Sequence, residues 1–249
     1  MLFYNLSKRF PNFIRKVLLG QIRRTLGPDF DMRHFSPSYK PWDQRVCAVP
    51  DGDLFNVLKA GKASVVTEHI DCFTADGIRL KSGQELPADI IITATGLELQ
   101  LFGGMQVQVD GQPFAAAESM GYRGIMLRDL PNLAVVLGYT NASWTLKADL
   151  SSEYFCRLIQ HMDQTGMRQC TPRASQDQVK PAPFLDLASG YIQRAEAMLP
   201  KQGDRAPWKL YQNYLRDLVL LRYGKLEDGY LQFSAPKAAT GATQEALAS

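Results

Sequence analysis

The chain reads as an α/β protein with a small antiparallel meander and helical segments, and three observations predict this. Two apolar runs, residues 89–95 in "DIIITATG" and 133–138 in "LAVVLG", each deliver a glycine and a polar loop, as buried strands of an open α/β sheet do. From Ala63 the hydrophobic period becomes that of strands, punctuated by Asp76-Gly77 and Ser82-Gly83, which are hairpin signals. Helical periodicity precedes and follows these strands, over 12–26 and 145–162.

The composition allows such a fold and excludes several others. At 249 residues the chain is long enough for one large domain or two small ones. Apolar content of 45% and charged content of 21% are ordinary for a globular protein, and a net charge of +3 is too mild to imply nucleic acid. The charge is uneven: residues 1–27 hold Lys8, Arg9, Arg15, Lys16, Arg23 and Arg24 and no acid. Cys47, Cys72, Cys156 and Cys170 show neither a CxxC nor an alternation with histidine, which points to free thiols in a reducing compartment. His34, His69 and His161 stand alone. No apolar run approaches the ~20 residues of a membrane span, and "NFIRKVLLGQIRR" is too charged for a signal peptide. A cytoplasmic location is expected.

Taken in order, residues 12–26 predict a basic helix that Asn12 can cap and Gly27-Pro28 ends. It either packs its apolar stripe on the body of the protein or lies on the inner face of a membrane. Pro37, Pro41 and Pro50 forbid a continuous helix until after Asp51-Gly52, and 53–60 then make a short one. "ASVVTEHI", "DCFTADGIRL" and "QELPADIIITATG" form the meander and feed a buried, parallel strand at 89–95. "MQVQVDGQPF" is a further hairpin with its turn at Asp110-Gly111. The second strand, 133–138, leads through a polar loop, 139–144, into the helix from Thr145 to Met162. Beyond residue 171 come a proline-rich linker, a helix initiated by Pro207, and a tail, 234–249, expected to be disordered.

The ends of the two strands are the candidate site. Ligands of open α/β sheets bind outside the carboxyl ends of strands, here Thr95-Gly96 and Gly138 through Trp144. Gly96 and Gly138 let backbone approach a flat cofactor, while Asn141, Ser143 and Thr145 supply hydrogen bonds. The N-terminus of the helix near Thr145 offers unpaired N–H groups and a positive dipole to an electron-rich acceptor. A plain strand-to-helix turn carries the same residues, with Ser143 or Thr145 as its N-cap. Arg45 can hold an anionic intermediate without losing a proton, although a bare arginine is more often a solvated surface residue.

"ELPADIIITATGLELQLFGG", "PNLAVVLGYTNASWTLKADL" and "LPKQGDRAPWKLYQNYLRD" together resemble the C-terminal half of a class B flavin-dependent monooxygenase, of the Baeyer–Villiger and ethionamide-activating type. The resemblance runs from about residue 1 to 233. It implies a fold of two interleaved dinucleotide-binding, Rossmann-like domains for FAD and NADP, and a small-molecule ketone, thioether or thioamide substrate. It assigns 1–95 to the end of the NADP domain with its helical insertion, 96–170 to the FAD domain and 171–233 to a C-terminal extension. It also implies that Thr95 and Gly96 lie where the chain passes between domains, and that "GYTNASW" (Gly138 to Trp144) and the helix from Thr145 face the flavin. Arg45, closing "PSYKPWDQR", resembles the catalytic arginine of the family, with Gln44 where many relatives have lysine.

In that family NADPH reduces FAD, and a flavin (hydro)peroxide transfers one oxygen atom. No GxGxxG occurs in this chain, so neither diphosphate has its usual cradle. The chain alone is therefore expected to be inactive unless another polypeptide supplies the N-terminal half. The alternative is a non-catalytic remnant that binds a partner or an anionic membrane through its basic helix.

Overall fold

The computed structural model describes residues 2–47, 49–174 and 179–235. They divide into two compact units, one of Leu2–Glu98 with Leu187–Tyr191, the other of Leu99–Asp186 with the residues from Ile192 on.

The first unit opens with two helices, α1 (Leu2–Arg9) and α2 (Pro11–Leu26). Pro11 starts α2, where its missing N–H is no loss, so Asn12 lies inside the helix and does not cap it as the sequence suggested. Ile14 and Leu26 are buried along one stripe, with Leu18 and Ile22 half-buried between them. Phe13 and Val17 stay exposed, so burial takes only part of the helix's apolar surface. A 3-10 turn at Met32–Phe35, capped by Asp31, and a short helix α3 (Asp53–Lys59) bring Phe35 to 5.7 Å from Phe55.

The meander forms from β1 (Ile70–Thr74), β2 (Gly77–Leu80) and β3 (Glu85–Pro87), all antiparallel. Its first strand starts later than residues 63–70 suggested, because the Asp76-Gly77 turn pairs Thr74 with Gly77 and sets the register backward from there. Only glycine fits at 77, where a Cβ would overlap the Leu86 carbonyl.

The buried parallel strand expected at 89–95 does not form. Residues 89–96 have no strand partner among the described residues, and Ile90 and Ile92 are 81% and 86% exposed. A strand exists only through the ladder it shares with its neighbours, and here no neighbour is present.

In the second unit, β4 (Gln108–Val109) and β5 (Gln112–Pro113) form the hairpin predicted at Asp110-Gly111. Both turn residues have positive φ, 52° and 78°, as a type I′ turn requires. β6 (Gly121–Tyr122), β7 (Met126–Leu127), the long helix α4 (Trp144–Thr165), β8 (Gln169–Pro172) and β9 (Pro181–Pro183) follow, then α5 (Gly190–Ala195), whose first two residues are assigned to the first unit. β10 (Lys201–Gly203), α6 (Tyr214–Leu218) with a π turn at Val219–Tyr223, and β11 (Leu231–Ser234) complete it. β6 pairs with β7, β8 with β11, and β9 with β10, each antiparallel.

Three expectations need correction here. Residues 133–138 are not a strand, and their backbone is tied to the unit through Val135 N–H, which donates to the Ile125 carbonyl at 2.6 Å. The helix expected from Pro207 begins instead at Tyr214, because Gln212 has a φ of 48° and Asn213 caps the Arg216 N–H. A parallel, Rossmann-like sheet is absent among the described residues, whose five sheets have two or three antiparallel strands each. The proposed tail lies, from residue 236, outside the described residues.

α4 supplies the centre of this unit's core. Leu150, Tyr154 and Leu158 recur every four residues on one face and meet Tyr122, Met126, Trp208, Leu221 and Leu231. Arg123 is buried against that core, donating to the Leu220 and Lys225 carbonyls and, at 2.8 Å, to Asp228 Oδ2. Tyr122 OH donates to the same carboxylate oxygen at 2.7 Å. Burial raises the carboxyl pKa of Asp228, but the hydrogen bonds from Tyr122, Arg123 and two backbone amides outweigh it and hold the group below its ordinary value.

Candidate functional site

The loop from Gly138 to Ser143 and the first turn of α4 form one structure. Gly138 is required by close packing, since a Cβ there would overlap the Trp144 indole. The flat ring that lies against this glycine is therefore a side chain of the protein itself. Tyr139 OH donates to Asp217 Oδ2 at 2.7 Å, and Lys147 Nζ, one turn into α4, donates to the same oxygen at 2.8 Å. All three side chains are buried, with exposures of 1% for Tyr139, 6% for Lys147 and 4% for Asp217.

The Lys147–Asp217 pair has little solvent around it. Desolvation lowers the Lys147 pKa, and the carboxylate beside it opposes that shift. Burial, followed by the hydrogen bond to Asp217, raises the Tyr139 phenol well above its ordinary range and keeps it a donor.

Gln212 holds the middle of the loop. Its Oε1 accepts from Thr140 N–H at 2.9 Å and from Thr140 Oγ1 at 3.2 Å, and its carbonyl accepts from Asn141 Nδ2 at 2.9 Å. Asn141 Oδ1 is buried with no hydrogen-bond partner. Ser143 stands at the N-cap of α4 with extended backbone, but its hydroxyl pairs with Thr145 Oγ1 at 2.7 Å and caps no backbone N–H. The first turn of α4 also carries no acid. The helix end thus keeps free N–H groups and positive dipole, which suit an electron-rich acceptor.

The remaining sequence candidates belong to the other unit. Arg45 is exposed, and its guanidinium has no ion-pair or hydrogen-bond partner among the described residues. Thr95 and Gly96 are exposed at the end of the unpaired run, Gly96 with a φ of 113°. The structure therefore brings together Gly138, Asn141, Ser143, Trp144 and Thr145, with Arg45, Thr95 and Gly96 in a separate unit.

Sequence reasoning missed Tyr139, Lys147, Gln212 and Asp217. Asp217 lies 70 residues from Lys147 and 78 from Tyr139, beyond any local pattern. Its one sequence signal is being the lone acid in "YLRDLVLL", a run otherwise able to bury one face.

These residues fit one end of a flavin and not the rest of it. An uncapped helix end and an orphaned buried amide oxygen suit the polar edge of a flat ring. The cavity beneath the loop, lined by Gly124, Leu137, Gly138, Lys147 and Leu210, has about 10 Å³, room for roughly one water and no ring. Among the described residues no glycine-rich loop meets a helix N-terminus to take a diphosphate.

Two relatives give this geometry its context. The chain is 50% identical over 241 residues to "FAD-containing monooxygenase EthA" of Mycolicibacterium smegmatis, covering 96% of this chain and 49% of that protein. It is 51% identical over 239 residues to the protein of the same name from Mycobacterium tuberculosis, again covering 96% of this chain and 49% of the other. The chain thus spans about half the length of the curated relatives it matches. No family model matches it, and no solved structure does.

Proposed function

The chain is a half-length homologue of the EthA type of flavin monooxygenase, and from that premise we propose that it contributes one half of such an enzyme, its C-terminal half. The observation that carries this reading is near-50% identity along almost the whole chain, set against half the length of the relatives. The division at about residue 95, between an NADP-side and an FAD-side portion of two Rossmann-like domains, belongs to the same proposal.

FAD, when bound, supplies the activation of dioxygen after reduction by NADPH. The residues of this chain do the rest of what is proposed here. With FAD bound, the first turn of α4 would offer N–H donors to the electron-rich edge of the flavin ring, and Asn141 Oδ1, buried in this structure, would serve as a further acceptor once the loop uncovers it. Gln212 and Asp217 hold the loop in its observed conformation through Thr140, Asn141 and Tyr139. Arg45 offers a charge that does not depend on a proton, suited to holding an anion formed in the reaction. A small ketone, thioether or thioamide is the substrate class.

The purified chain is expected to be colourless and to oxidise NADPH no faster than buffer. Co-expression with the other half of the M. smegmatis relative should yield a yellow complex whose NADPH oxidation consumes oxygen in the presence of a simple thioether. A complex that forms without flavin absorbance or NADPH oxidation would overturn the reading.

A further inference from the structure

The run Asp89–Gly96 is the least satisfied stretch of backbone in its unit. None of its eight residues makes a hydrogen bond with another described residue; the last such bond before it is Ala88 N–H to the Asp76 carbonyl. All eight residues are exposed. Ile90, Ile91 and Ile92 are 81%, 39% and 86% exposed, and in a strand they would alternate between its two faces. A segment apolar on both faces and unpaired along both edges has the requirements of an interior strand.

Those requirements select the occupant. An anionic lipid surface could cover the isoleucines but cannot supply hydrogen bonds to eight residues of bare backbone. The run also holds one acid, Asp89, and no basic residue, so nothing in it attracts anionic headgroups. A second copy of the chain, paired about a two-fold axis, would satisfy one edge and leave the other open. A sheet with a gap one strand wide satisfies both edges and both faces. The relatives that match this chain extend over about as many residues again, which is the one source of such a sheet in view.

We infer that Asp89–Gly96 is a docking strand, which inserts into a β-sheet of the polypeptide corresponding to the half of the relatives that this chain does not span. The inference rests on the half-enzyme reading above and adds the surface through which the halves join. Backbone pairing provides the affinity, and the alternating isoleucines set the register.

The test co-expresses the full chain with the other half of the M. smegmatis relative and follows co-purification and amide hydrogen exchange. Two variants are compared with the unaltered chain. Thr93→Pro removes one ladder donor while leaving every isoleucine exposed, and Ile90→Lys with Ile92→Lys removes the apolar face. Both alter only unpaired, exposed residues, so the meander should melt unchanged.

The expected result is co-purification with at least 100-fold slower exchange at 90–95, and at least a tenfold loss of the complex in each variant. Association that survives both variants, or that leaves 90–95 exchanging freely, overturns the docking strand even if flavin is bound. A complex protected at 90–95 that binds no flavin supports the docking strand while sinking the monooxygenase reading. No association at all overturns the docking strand, as does protection of 90–95 by anionic vesicles or by self-association of the chain alone.

Discussion

Residues 89–96 and 132–139 are near-equivalents on paper: aliphatic runs that end in glycine and a polar turn. In the structure they differ sharply. Asn132 N–H donates to the Cys170 carbonyl, Asn132 Oδ1 accepts from Cys170 N–H, and Asn132 Nδ2 donates to the Arg168 carbonyl. Val135 is tied to Ile125 and Tyr139 to Asp217. The first run has none of this. The comparison teaches that an apolar pattern states a demand for burial, and that polar groups elsewhere in the chain decide whether the demand is met.

The largest expected effect lies in the second run. Asp217→Ala leaves the Lys147 charge and the Tyr139 hydroxyl buried without their shared acceptor, which should cost about 3–5 kcal/mol by the usual penalty for breaking a buried pair. Urea unfolding followed by Tyr and Trp fluorescence measures it. A loss below about 1 kcal/mol would break the comparison, because the second run would then be no better anchored than the first.

Next comes Gly138→Ala. The added methyl meets the Trp144 indole, and relieving the overlap moves either the ring or the loop, at about 1–3 kcal/mol by analogy with other overpacked sites. The melting temperature should fall and the Trp144 emission shift. A variant that melts like the parent would show that the indole does not rest on this glycine.

Acidification sharpens the same contrast through Asp228. Its folded pKa is held below the ordinary carboxylate value, so the unfolded state binds the proton first as pH drops. The stabilisation is complete above the unfolded pKa of about 4 and is lost as pH falls through the lower folded value. Unfolding of the unit built on α4 should therefore become easier below about pH 4. Asp228→Asn should lower stability at neutral pH and flatten that dependence. An unchanged acid slope in the variant would remove Asp228 from the account.

How much of this could be read in the residues depends on how far the deciding contacts reach along the chain. The Asp110-Gly111 turn is local, and so is the four-residue spacing of Leu150, Tyr154 and Leu158; both were legible. Ser143 was recognisable as a helix start, but its hydroxyl turns to Thr145, a choice between two nearby partners that spacing cannot settle. The Tyr139–Asp217–Lys147 cluster and the Gln212 clamp join residues about 70 apart, and only the packed chain brings them together. The error at 89–95 is of another kind. The sequence there carries every mark of an interior strand, and what it lacks is a partner among the described residues.

That error frames the smallest expected effect. In the isolated chain Ile92→Lys removes a side chain that is 86% exposed and touches no ladder, so stability should change by no more than about 0.5 kcal/mol. Solubility should rise, because a charge now interrupts the isoleucine run on its exposed face. Parallel urea titrations of Ile92→Lys and Asp217→Ala place both runs on one scale. If the lysine variant loses 2 kcal/mol or more, Ile92 is buried in solution and the first run is paired after all. If it loses nothing while Asp217→Ala loses several, the two look-alike segments differ only in the company the rest of the chain provides.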